Sequence, residues 1–170
     1  MIQILSWIAF RWTNKQVQTF YKLGEPLSDS EKEVLLPYFS TEILDNARKV
    51  ILDRVRPLNF PAKVRLSILK TIFRFQNLAG LTLGDCVFLT GKSALELSTL
   101  FHELIHVTQY EALTPRGFLR SYFQSWRDNG FSYHKISLER VAYGLTHHYE
   151  TFPGKPFNVK ERVLAGMEMK

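Results

Sequence analysis

Apolar residues recur at three and four along most of this chain, and that spacing predicts a mostly helical protein. In "SDSEKEVLLPYF", capping residues and acids lead into a short helix that Pro37 ends. "STEILDNARKVILDRVRP" sets Ile43, Leu44, Ala47, Val50, Ile51 and Val55 at helical spacing, so a second helix is expected there. Pro57 and Pro61 bracket a turn before a third, over 61–76. "LTLGDCVFLTG" differs in kind: Val87, Phe88 and Leu89 between Gly84 and Gly91 read as a short strand with a turn at each end. Ser93-Ala94-Leu95-Glu96 then matches a capping box. Leu97, Leu100, Phe101, Leu104, Ile105 and Thr108 give the helix that follows, expected over 93–112, a wide buried face. Thr114-Pro115 opens another, with Phe118, Leu119, Tyr122, Phe123 and Trp126 at three and four. After the loop "DNGFSYH", Ser137 is expected to cap a helix carrying Glu139, Ala142 and Tyr143, which Pro153 and Pro156 stop. "VKERVLAGMEMK" reads as either a terminal helix or a frayed end.

The fold class expected is therefore α+β, mostly helical, with a short strand or sheet beside the 93–112 helix. At 170 residues, 45% of them hydrophobic, the chain fits one domain with a sizeable core. Within 1–170 the pattern separates a helical part, 1–78, a central part, 79–150, and a tail, 151–170. "MIQILSWIAFRWTNK" has an apolar run of only about ten residues, too short to cross a bilayer. It lacks both the leading basic residues and the cleavage pattern of a secretory signal, so it is expected to pack in the domain. Cys86 is the one cysteine, which excludes an intrachain disulfide and a four-thiolate zinc site. That usage suits a reducing compartment, and a cytoplasmic location is the expectation.

Charge adds one feature. The net charge is +6, and much of the excess sits in Arg48, Lys49, Arg54, Arg56, Lys63, Arg65, Lys70 and Arg74, interrupted only by Asp53. On a helix over 61–76, Lys63, Lys70 and Arg74 form one stripe, with Val64, Ile68, Leu69, Ile72 and Phe73 opposite. A solvated face explains the stripe first; an anionic membrane surface is the partner it would otherwise suit. No element reads bases, so nucleic acid is not the expected partner. Nothing in the sequence indicates an oligomeric state.

The chemistry concentrates in "FHELIHVTQY". Residues four apart on a helix share a face, with Cβ atoms about 5–6 Å apart. His102 and His106 can thus converge on one zinc ion, while Glu103, about 100° around, would point beside it and can serve as base for an activated water. Helical periodicity around the motif supplies the condition this geometry needs. A catalytic zinc needs a third protein ligand, and no His stands at the short downstream spacing, where position 112 is Ala. The candidates are His134, Glu139, His147 and His148. Glu139 follows a loop long enough to bring it back against the first helix. His147 and His148 are adjacent, so the two do not both face one ion. For the oxyanion, Tyr143, four residues after Glu139, is the first choice, followed by Tyr133, His134 and Arg140. Gln109 is placed to support a ligand, and Cys86 reads as a small buried residue.

With these residues in place, the chain resembles a family of uncharacterised bacterial zincin-like domains, a domain family of unknown function regarded as metallopeptidases. The stretches that carry the resemblance are "LTLGDCVFLTG", "LFHELIHVTQYEAL", "GFLRSYF" and "SLERVAYG", from about residue 79 to 144. The upstream "LLPYFSTEILDNARKVIL" is similar in pattern and less distinctive. The resemblance implies His102 and His106 as zinc ligands, Glu103 as base, and Glu139 as third ligand, the arrangement of a gluzincin. It also implies that "LTLGDCVFL" is a strand beside the cleft, to which a peptide adds. One departure is Val141, where the family pattern "LEREAY" leads one to expect Glu.

The function expected is a zinc metallopeptidase, a hydrolase acting on a peptide or protein substrate. The competing reading is a non-catalytic module of the same fold that uses its basic helix for a membrane surface or an acidic partner; an intact Glu103 speaks against it. A protease acting in DNA repair draws support from net charge alone.

Overall fold

The computed structural model describes residues 2–52, 79–91 and 96–168. The sequence expectations for Val55, for the basic stripe of Lys63, Lys70 and Arg74, and for Ser93–Leu95 of the capping box lie outside these residues. The first helix, α1 (Ile2–Phe20), buries Ser6, Ala9, Trp12 and Thr13 and packs along the long central helix. Its outer face leaves Ile4 and Trp7 exposed, with the Arg11 guanidinium over the Trp7 ring at 5.0 Å. Among the described residues no helix is long and apolar enough to cross a membrane.

Helix α2 (Asp29–Leu35) begins at the reciprocal Ser28–Glu31 capping box and ends just before Pro37. Helix α3 (Thr41–Asn46), capped by Ser40, is shorter than its periodicity suggests. Ala47 turns extended, with φ −60° and ψ 139°, and the chain continues as a strand, β2 (Arg48–Leu52). Val50 turns in while Ile51 turns out, a period of two that a helical reading of the same apolar residues hides. Residues 1–78, expected to be helical, thus contribute β1 (Glu25–Pro26) and β2 to the sheet.

The other two strands, β3 (Gly80–Leu83) and β4 (Cys86–Thr90), form an antiparallel hairpin that turns at Gly84, whose φ of +57° favours glycine. Strand order is β1-β2-β4-β3, with β2 and β4 parallel and Val50 opposite Phe88. Central β4 buries Cys86, Val87, Phe88 and Leu89 in succession, as a strand covered on both faces does. Burial pushes the Cys86 thiol up to about 11, so it behaves as a small apolar side chain. Strand β3 is at the edge, against the central helix.

That helix, α4 (Leu97–Asp128), is two helices meeting at Thr114, where φ is 61° and ψ is 156°. Pro115 disfavours helical backbone in the residue before it, and the Thr114 hydroxyl oxygen accepts from the Gly117 N–H at 3.3 Å to start the second half. The break falls where Thr114-Pro115 predicts it. A 3₁₀ turn (Tyr133–Lys135) leads into α5 (Ser137–Thr151). Ser137 does not cap α5: Ile136 holds that position, and both the Ser137 N–H and its hydroxyl bond Ser125 Oγ, at 2.9 and 2.8 Å. The tail forms a helix, α6 (Val159–Glu168).

The first half of α4 is fixed in rotation by what it buries. Phe101 is fully buried, stacked on Tyr149 at 4.1 Å and edge-on to Phe39 at 5.0 Å. Leu104 and Ile105 join it in the same cluster with Leu44, Val87, Ala142 and Val163. Removing a ring such as Phe101 costs about 3–5 kcal/mol, so this face does not rotate out. His102, Glu103 and His106 are thereby held toward α5 and β3.

Candidate metal centre

Glu139, in the first turn of α5, brings its Oε2 to 3.6 Å from His102 Nε2 and 3.5 Å from His106 Nε2. Ligand atoms of the three residues lie within 4.8 Å of one another, and this is the group among the described residues with metal-holding geometry. His106 and Glu139 are buried, at 6% and 3% exposure, and His102 is half-buried. Tetrahedral ligands at zinc distances of 2.0–2.1 Å stand about 3.3–3.4 Å apart, and the two carboxylate–imidazole spacings lie close to that value.

Hydrogen bonds orient both imidazoles. Gln109 Nε2 donates to the Leu138 carbonyl at 3.0 Å, which turns its Oε1 toward His106 Nδ1 at 2.8 Å. That nitrogen therefore donates. At His102, Nδ1 lies 3.3 Å from Thr146 Oγ1, whose own proton goes to the Ala142 carbonyl at 2.9 Å. Both rings thus use Nδ1 as donor and turn Nε2 toward Glu139, the arrangement that metal-ligating histidines require.

The carboxylate is held unequally. Glu139 Oε1 accepts from the Tyr122 hydroxyl at 2.9 Å, while Oε2, buried, has no hydrogen-bond partner among the described residues. A buried oxygen without a partner costs free energy unless something else binds it. Two imidazole nitrogens and one such oxygen are a donor set that suits zinc, and the residues present fit that ion.

Electrostatics describe the same site. Burial alone would depress His106, but the Glu139 carboxylate beside it overrides burial and pushes it up to about 9. Burial would raise Glu139; the positive charge of His106 and the close approach of both imidazoles override it and hold the carboxyl well below the usual range. Glu103 is displaced the other way, raised chiefly by burial. Its Oε2 accepts from the Thr82 hydroxyl on β3 at 2.7 Å. Its carboxylate also lies against Gly80: a Cβ there would stand 2.6 Å from Glu103 Oε1.

Other expected residues take separate places. Tyr143 is half exposed, its ring 4.6 Å from that of His102, and its hydroxyl interacts with Tyr133. Tyr133 feels Glu139 directly: burial first, then that carboxylate, raises its hydroxyl far above the ordinary value. His134 and Arg140 are exposed and stand outside the cluster. His147 is exposed beside Thr151, and His148 packs among Phe152 and Phe157, so neither joins it. Val141 packs against the main core, and a Cβ on Gly166 of α6 would touch it at 2.9 Å. An acid at 141 would face α6, so the departure from "LEREAY" leaves the cluster intact. Sequence reasoning missed Tyr122, taken only as part of an apolar stripe, and the Gly80, Thr82 and Thr146 contacts.

The chain matches no model of a known protein family, no curated protein and no solved structure. The functional reading therefore rests on the residues themselves.

Proposed function

We propose that this chain is a zinc-dependent hydrolase, a peptidase of zincin-like fold, with His102, His106 and Glu139 as the ligand set. The observation that carries the reading is the convergence of two Nε2 atoms on the buried Glu139 Oε2, which has no hydrogen-bond partner among the described residues. When bound there, zinc would supply Lewis acidity, polarising a carbonyl and lowering the pKa of a water. Glu103 is the base that takes a proton from the attacking water and returns it to the leaving amine. Burial raises its carboxyl above the ordinary value, and Thr82 fixes its orientation. For the oxyanion the reading assigns Tyr143 as donor, and its half-exposed ring beside His102 supports that role. A site that only held a metal would need no second buried carboxylate beyond Glu139, and Glu103 is one.

The test is Glu103→Gln, which keeps the shape of the side chain and removes the base. Zinc content should stay at the parental level while cleavage of a quenched-fluorescent peptide library falls by about 10²–10⁴-fold. Equal turnover in parent and variant, or none in a zinc-loaded parent against a broad library, contradicts the peptidase reading.

A further inference from the structure

A carboxylate binds a cation through one oxygen or through both, and its other contacts decide which. The two oxygens of Glu139 differ: Oε1 takes the Tyr122 hydroxyl at 2.9 Å, and Oε2 faces the two Nε2 atoms. Resting on the cation-site reading above, we propose that Tyr122 is a positioning residue that occupies Oε1 and so restricts Glu139 to ligation through Oε2, keeping one coordination position open.

The kink in α4 makes this contact available. Tyr122 follows His106 by sixteen positions, about 24 Å along an unbroken helix at 1.5 Å per residue. Thr114, at φ 61° and ψ 156°, and Pro115 redirect the second half, in a backbone region that a β-branched residue seldom adopts. Phe118 then stacks on Tyr110 at 3.8 Å and stands edge-on to His106 at 6.2 Å. Tyr122 in turn stacks on Phe118 at 5.8 Å, with the ring planes 29° apart. Ser125, one turn on, bonds Ser137 at the start of α5. The hydroxyl is thus carried on a stack of rings and pinned to the helix that holds Glu139. Phenylalanine would fill the same volume, so packing does not explain the hydroxyl.

Tyr122→Phe removes that hydroxyl and keeps the ring. The measurement compares parent, Tyr122→Phe and Glu139→Ala by zinc affinity in chelator competition and by visible absorption of the Co²⁺-loaded proteins, with metal-free thermal unfolding as the fold check. The parent should show intense four-coordinate cobalt bands. Tyr122→Phe should bind zinc about 10–100-fold more weakly and shift to the weaker bands of higher coordination as Oε1 joins. Parental spectrum and affinity in a folded Tyr122→Phe overturn the proposal while leaving the metal site standing. No metal in the parent overturns both. Should Tyr122→Phe fail to fold, a crystal structure of the zinc-loaded parent decides. A single Glu139 oxygen at about 2.0–2.2 Å from zinc, with Tyr122 on the other, supports the proposal; both oxygens on zinc overturn it.

Discussion

Gln109 Oε1 lies 2.8 Å from His106 Nδ1, and the same amide donates to the Leu138 carbonyl, one residue before Glu139. One fully buried side chain thus sets the tautomer of His106 and the position of the element that carries Glu139. Gln109→Leu should weaken zinc binding by about 10–100-fold. It should also cost roughly 1–3 kcal/mol for the carbonyl left without a partner. Chelator competition and urea unfolding measure the two separately, and an unchanged zinc affinity would remove Gln109 from the site.

Gly80 and Glu103 are in closer contact than any side chain at 80 permits. With a Cβ placed 2.6 Å from Oε1, Gly80→Ala must shift either edge strand β3 or the carboxylate. Overpacking of this kind costs about 1–3 kcal/mol. Peptide turnover should fall while zinc content holds, because the base moves and the ligands do not. Parental turnover in Gly80→Ala would show that Glu103 has room the geometry denies it.

The coupling of His106 and Glu139 sets a pH dependence. In the metal-free chain His106 is pushed up to about 9 from an ordinary 6.5, so at neutral pH its Nε2 carries a proton that zinc must displace. Zinc affinity should therefore rise with pH, by about tenfold per unit for one displaced proton, and level off above about 9. Stability of the metal-free chain runs the other way on the alkaline side. The His106 contribution is complete below 6.5 and is lost as pH rises through about 9. Glu139, held below its ordinary 4.5, contributes above that value and loses its share as pH falls. Isothermal titration across pH 6–10 checks the first trend, on the order of the range these shifts span; a pH-independent zinc affinity would contradict it.

The pairing of His102 and His106 was legible because helical spacing sets both on one face, and Glu139 was among the candidates because the loop before α5 is long enough to return its first turn to α4, where the structure brings the three together. Tyr122 was not legible. Its periodicity with Phe118 and Trp126 is that of any buried stripe, and only the Thr114 kink, a tertiary consequence of one X-Pro step, aims its hydroxyl at Glu139. Strand β2 was hidden for a related reason: Ile43, Leu44, Ala47, Val50 and Ile51 fit a helix, but pairing of Val50 with Phe88 in the sheet prevails over local periodicity. The contact of Gly80 with Glu103 joins residues 23 apart, and no local pattern encodes it.

The most direct measurement is bound zinc per chain by elemental analysis of the parent, His102→Ala and Glu139→Ala, each purified without added metal. The account predicts about one zinc in the parent and loss in both variants, since a three-ligand site does not survive removal of one donor. No zinc in the parent after zinc loading and dialysis, or zinc retained in Glu139→Ala, would contradict it.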